Sequence, residues 1–97
     1  MPLSYQFEWN LRKATANLRR HGVTFDEATT VFGDPLAALK PDPDHSWEEQ
    51  RFILLGLSGS GAGRLLVVCF AERGPRTRLI SARRATRREK TEYEKGT

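Results

Sequence analysis

Apolar and polar residues alternate from Leu3 to Glu8 (LSYQFE). Successive side chains of a strand point to opposite faces, so this pattern predicts a first strand over residues 3–8. Asn10 follows, with a short side chain able to accept from the free N–H groups of a helix start. It opens a helix expected to run to about His21. Leu11, Ala14 and Leu18 fall at i, i+3 and i+7 and are expected to form its buried stripe. Gly22 ends it, because glycine takes the left-handed conformation of a C-cap without strain. Thr24-Phe25-Asp26-Glu27 reads as a capping box, opening a second helix to near Phe32 with Ala28, Val31 and Phe32 inward. Gly33-Asp34-Pro35 is a turn, residues 36–40 a short strand, and residues 41–44 (PDPD) a loop.

Two apolar runs of strand length, residues 52–57 and 65–70, flank a Gly/Ser segment and predict a central hairpin. Gly74-Pro75 turns the chain into another strand over residues 76–82. There Arg76, Arg78 and Ile80 alternate with Thr77, Leu79 and Ser81. Thr86-Arg87-Arg88-Glu89 is a second capping box and opens a terminal helix. The order is β-α-α-β-β-β-β-α. Tight turns between strands predict an antiparallel sheet, with two N-terminal helices and one C-terminal helix packed on it. That is an α+β fold.

With 97 residues the chain is expected to form one domain, residues 1–97, around a single core. Its longest apolar run, residues 65–71, falls far short of the roughly 20 residues that cross a bilayer. No basic then apolar leader stands at the N-terminus, so a cytoplasmic protein with no membrane partner is expected. The one cysteine, Cys69, excludes an internal disulfide framework and is expected to be a buried, inert thiol in its apolar strand. The overall charge of +4 conceals an asymmetry: residues 1–21 carry +3, residues 22–72 carry −5 and residues 73–97 carry +6. If the ends meet, they form one positive face that attracts polyanions. Most of these cations are arginines, whose fork matches phosphate and turns the expectation toward nucleic acid.

No glycine-rich phosphate loop, metal-ligand spacing or nucleophile triad is readable, so no metal and no cofactor are expected. Arginine, glutamate and two histidines remain. That set suits metal-free cleavage of RNA: a base takes the ribose 2′-OH proton while arginines stabilise charge building on phosphate. Arg78, mid-strand, is either a phosphate clamp or half of a cross-strand ion pair with Glu72. Arg51 is a second phosphate contact or a local partner of Glu49. Glu72 and Glu49 are candidate bases, although flanking arginines hold a carboxylate's pKa down and make it a better positioner than base. His21 is a helix-end histidine or a proton-transfer group, and it shares a helix face with Lys13 and Asn17. Of Arg83 and Arg84, one contacts RNA and the other pairs with a glutamate. Arg73, Arg76, Arg87 and Lys13 extend the basic surface, and Tyr93 either packs on the sheet or reaches RNA. Trp9 is expected to anchor the core. Trp47 could pack or stack on a base, and His45 belongs to an acidic surface loop.

Phe7-Glu8-Trp9, residues 17–25 (NLRRHGVTF), residues 28–32 followed by Asp34-Pro35, Glu49-Gln50-Arg51, and residues 80–85 (ISARRA) followed by Glu89 resemble the BrnT toxin family. The resemblance covers nearly the whole chain in order. It implies a RelE-like, microbial-ribonuclease-like fold and a toxin that blocks translation by cutting RNA. It implies a BrnA-like ribbon-helix-helix antitoxin as partner, in a complex of two toxins and two antitoxins that meets operator DNA through the antitoxin. The chain departs from the family where a His or Tyr, then Thr, precedes the Glu-Arg pair: here Phe70-Ala71 precedes Glu72-Arg73. The other functional class open to the sequence is a non-catalytic RNA-binding or partner-binding module on the same fold.

Overall fold

The structure is a computed structural model and describes residues 5–42, 49–61 and 63–96. Residues 3–4 of the expected first strand, His45 and Trp47 lie outside the described residues. The elements are β1 (Gln6–Glu8), α1 (Leu11–His21), α2 (Phe25–Thr30) continued by one 3-10 turn (Val31–Gly33), β2 (Ala38–Pro41), β3 (Arg51–Leu57), β4 (Leu65–Arg73), β5 (Arg76–Arg84) and α3 (Arg87–Lys95). Asn10 accepts from the Lys13 N–H, and Gly22, at φ 70°, closes α1 as expected. The Thr86 box forms in full. At Thr24 only half the box forms: its hydroxyl accepts from the Glu27 N–H, but the Glu27 side chain leaves for Arg64, Ser58 and Ser60. That carboxylate pins the β3–β4 loop to α2.

The five strands lie in the order β1-β5-β4-β3-β2. The hairpin-linked pairs are antiparallel, as expected. The β1–β5 pair is parallel, which makes the sheet mixed. These are the first and last strands, so no tight turn dictates their direction. The intervening chain supplies a crossover of the kind parallel pairs need.

One face of the sheet is covered by α1, α2 and the 3-10 turn. Val23, Phe25, Ala28 and Val31 pack there against Leu54, Leu66, Val68, Phe70, Leu79 and Ala82. Each large apolar side chain fully buried here contributes about 1.5–3 kcal/mol, so this layer holds most of the stability. Gly56 lets the helical layer approach: a Cβ there would sit 2.8 Å from Val31 Cγ1 and 2.9 Å from the Ala37 Cβ.

Of the expected stripe of α1 only Ala14 packs, partly buried, against the core. Leu11 is 77% and Leu18 46% exposed, and the one buried residue of α1 is Asn17. Its amide nitrogen donates to the carbonyls of Ala82 (2.7 Å) and Val23 (3.0 Å), and its oxygen accepts from the Ala82 N–H (3.0 Å). The pairing of β1 with β5 stops at Arg78, so Ala82 lies beyond the last strand partner on that edge. Asn17 supplies the missing donor and acceptor, as a strand residue would. A buried polar group bonded to backbone specifies the docking of α1 where an apolar stripe would only favour it.

The opposite face is covered only in part, by α3. Among its described residues α3 buries none. It is held by polar contacts: Arg83 to Glu89 (2.8 and 2.9 Å), Lys40 to Glu92 (3.3 Å) and the Tyr93 hydroxyl donating to Asp34 (2.6 Å).

Candidate active site on the bare face of the sheet

The register shows which side chains share the bare face. Phe52, Leu54, Leu66, Val68, Phe70 and Leu79 point to the helices, so their alternates point away. Across one row stand Glu8, Arg78, Ala71 and Arg51, in successive strand neighbours. Arg73 and Arg76 face each other at the adjoining hairpin end. The row on the other side holds Ser81, Cys69, Ile53 and Lys40, and beyond it come Arg83, Val67 and Leu55. A bulge at Ile80 on β5, between the pairs Cys69–Ser81 and Phe70–Leu79, restores the alternation that keeps Arg78 and Arg83 on one face.

Two carboxylates organise the arginines. Glu8 accepts from Arg76 and Arg78, each at 3.3 Å. Glu49 accepts from Arg51 (3.1 Å) and Arg73 (3.3 Å). Partial burial pushes the Glu8 carboxyl up, but hydrogen bonds and charge from Arg76 and Arg78 prevail and hold it below its ordinary range. Glu49 behaves alike, with burial raising it and Arg51 and Arg73 bringing it down. Both are therefore ionised at neutral pH. Four guanidinium groups against two carboxylates leave net positive charge around a floor of small and apolar side chains. Farther along, the Arg83 hydrogen bonds, against the opposing effect of burial, bring Glu89 down to about 2. The same bonds raise Arg83.

Several sequence expectations change here. Arg78 pairs with Glu8 of β1. Glu72, opposite Thr77, points to the helical side, where it lines a groove with Tyr5, Phe32 and Leu39. Glu72 is thus on the wrong face to serve Arg78, because one step along a strand reverses the side chain. His21 precedes Gly22, whose carbonyl accepts from Arg64 beyond the far end of the hairpin, so it is not brought to the arginine cluster. Lys13, on α1, also belongs to the helical side. Of the pair at the end of β5, Arg83 takes the glutamate and Arg84 is exposed. Arg87 is exposed at the start of α3. Tyr93 is tied to Asp34, a bond that pushes its hydroxyl up to about 12. Cys69 is partly exposed on the bare face, because its strand is apolar on both sides and only one side is covered by α1 and α2. Phe70 is buried between Phe32 and Phe52, with ring centroids at 5.0 and 5.5 Å. Trp9 packs edge-on to Phe25 as an anchor.

Glu8 was not among the expected site residues. The alternation of residues 3–8 carried its signal, but β1 gains its meaning only from pairing with β5. Among the described residues no three His, Cys, Asp or Glu side chains converge as a metal site requires.

A family model described as the ribonuclease toxin BrnT of type II toxin–antitoxin systems matches residues 9–89. The fold resembles the crystal structure of the Brucella abortus ribonuclease toxin BrnT, with a TM-score of 0.62 and 20% identity over 87% of this chain and 100% of that one. The search of curated protein sequences returned no match.

Proposed function

The chain belongs to the BrnT family, ribonuclease toxins of type II toxin–antitoxin systems, and from that premise we propose that the bare sheet face cleaves RNA without a metal ion. The observation that carries this reading is the cluster of Arg51, Arg73, Arg76 and Arg78 around Glu8 and Glu49, on the one face the N-terminal helices leave open. Arg78 and Arg51 stand two strands apart, about 10 Å at the backbone, and can grip one phosphate from both sides. A phosphate entering between them takes over guanidinium bonds from a carboxylate. That carboxylate, Glu8 or Glu49, regains basicity and accepts the 2′-OH proton. The 2′-oxygen then attacks phosphorus, the arginines stabilise the added charge, and the 5′-oxygen leaves with a proton from water. The products are a 2′,3′-cyclic phosphate and a 5′-hydroxyl. Guanidinium groups supply the positive charge throughout, so neither a metal nor another cofactor enters this scheme.

A type II toxin implies an antitoxin partner and an RNA target. The finer reading is a BrnA-like ribbon-helix-helix antitoxin in a two-plus-two complex, covering the basic surface at Arg83, Arg84 and Arg87, with operator DNA bound only through the antitoxin. It also places the toxin in the cytoplasm as one domain. No helix among the described residues is long and apolar enough to cross a membrane.

The test is cleavage of total RNA in EDTA, by the purified chain and in a translating extract. Arg78→Ala is expected to cleave at least ~100-fold more slowly with an unchanged circular dichroism spectrum. Undiminished cleavage by that variant removes Arg78 from the site. Loss in EDTA with recovery in magnesium overturns the metal-free scheme, and inactivity of the wild type in both settings overturns the enzymatic reading.

A further inference from the structure

The exposed leucines of α1 lie in a groove of about 290 Å³ between α1 and α2, lined by Trp9, Leu11, Ala14, Leu18 and Phe25, with Asp26 on its α2 edge. We propose that this groove is a second docking site for the antitoxin, taking an acidic amphipathic helix from it. The inference rests on the antitoxin reading above and adds a surface on the helical side, behind the arginine cluster.

Two observations specify the occupant. The first is the apolar row itself. Leu11 and Leu18 are two turns apart on one line, with Thr15 between them, and they face solvent where a free helix would be expected to turn polar residues. A helix laid along such a groove inserts its own apolar side chains at the matching spacing. The second is charge. The helix carries Arg12, Lys13, Arg19 and Arg20 and no acidic residue. Among the described residues none of these four pairs with a carboxylate, whereas Arg51, Arg64, Arg73, Arg76, Arg78 and Arg83 all do. Arg12 and Arg19 border the leucines with Thr15 and Ala16 in a shallow extension of the same surface. Lys13 and Arg20 lie on the opposite side of α1, so Arg12 and Arg19 make one edge of the apolar row basic, while Asp26 stands on the α2 edge. This matches a helix whose apolar anchors are bordered by carboxylates along the edge that meets Arg12 and Arg19. RNA fits less well: its backbone would answer the cations, but nothing in it answers an aliphatic row.

The experiment co-expresses the toxin with the protein of the adjoining reading frame and measures their affinity and association rate. Leu11→Asp/Leu18→Asp is expected to weaken binding by at least about tenfold, with RNA cleavage by the free toxin unchanged. Arg12→Glu/Arg19→Glu is expected to slow association several-fold and flatten its salt dependence. Circular dichroism confirms that each variant is folded; since all four positions are exposed, folding is expected to survive. Binding by the wild type with no change in either variant overturns this surface and leaves the antitoxin reading intact. No binding by the wild type overturns both. Weakened RNA binding in the arginine variant, with antitoxin affinity unmoved in the leucine variant, assigns α1 to RNA and overturns the proposal.

Discussion

The two faces of the sheet use the same strands for opposite ends. On the helical side Leu66, Val68, Phe70 and Leu79 close a dry layer, and its one buried polar helix residue, Asn17, has three hydrogen bonds. On the bare side their immediate neighbours in sequence are Ala71, which is buried, and Arg78, which with Arg51 across the hairpin lays a partly exposed, charged layer over it. Stability is concentrated in the first, and the second carries the proposed chemistry. A strand makes this possible because consecutive residues never share an environment. The contrast also explains α3. It covers part of the arginine-bearing face but buries no residue of its own, so it is held by ion pairs and one tyrosine bond that salt and acid weaken.

The comparison is sharpest where one residue belongs to only one side. Asn17→Ala leaves backbone groups of Ala82 and Val23 without partners in a buried place and is expected to cost about 3 kcal/mol of stability. Cleavage per folded molecule should stay near wild type. Denaturant unfolding together with the RNA assay checks this, and a variant that stays stable but loses activity breaks the division. Glu8→Gln is the mirror case. Removing one carboxylate from between Arg76 and Arg78 should lower cleavage by about 100-fold, worth ~2.7 kcal/mol in the barrier, with little change in Tm. A large Tm loss would make Glu8 part of the scaffold. The smallest effect concerns α3. Glu89 is depressed to about 2 from 4.5, so its ion pair with Arg83 stabilises the fold fully above that ordinary value. The contribution is lost as pH falls from about 4.5 to about 2. Amide exchange should then rise in α3 before it rises in α1. Equal protection of both helices at pH 2.5 would show that the pair does not hold α3.

How much of this was legible beforehand depends on how local the cause is. The caps at Asn10, Gly22 and Thr86, the central hairpin and the C-terminal helix follow from contacts within a few residues, and they stand where the pattern put them. Arg78, Arg51 and Arg83 were legible as arginines on or beside strands, where their cost demands a reason. Their partners were not. Glu72 stands nearer Arg78 in sequence than Glu8 does, yet alternation turns it to the other face, and the parallel pairing of β1 with β5 brings in Glu8 from 70 residues away. The leucines of α1 misled for a related reason: periodicity shows that a helix has an apolar side, but not which side the sheet accepts.

The sequence by itself determined the elements, their order, the family and the supply of arginines on and beside the strands, because capping, alternation and composition act over short range. Tertiary structure alone decided which carboxylate meets which arginine, which face stays open and which helix side is left to solvent. Those depend on strand order and register, where the free energy of pairing distant segments selects one arrangement from several that the local pattern permits equally.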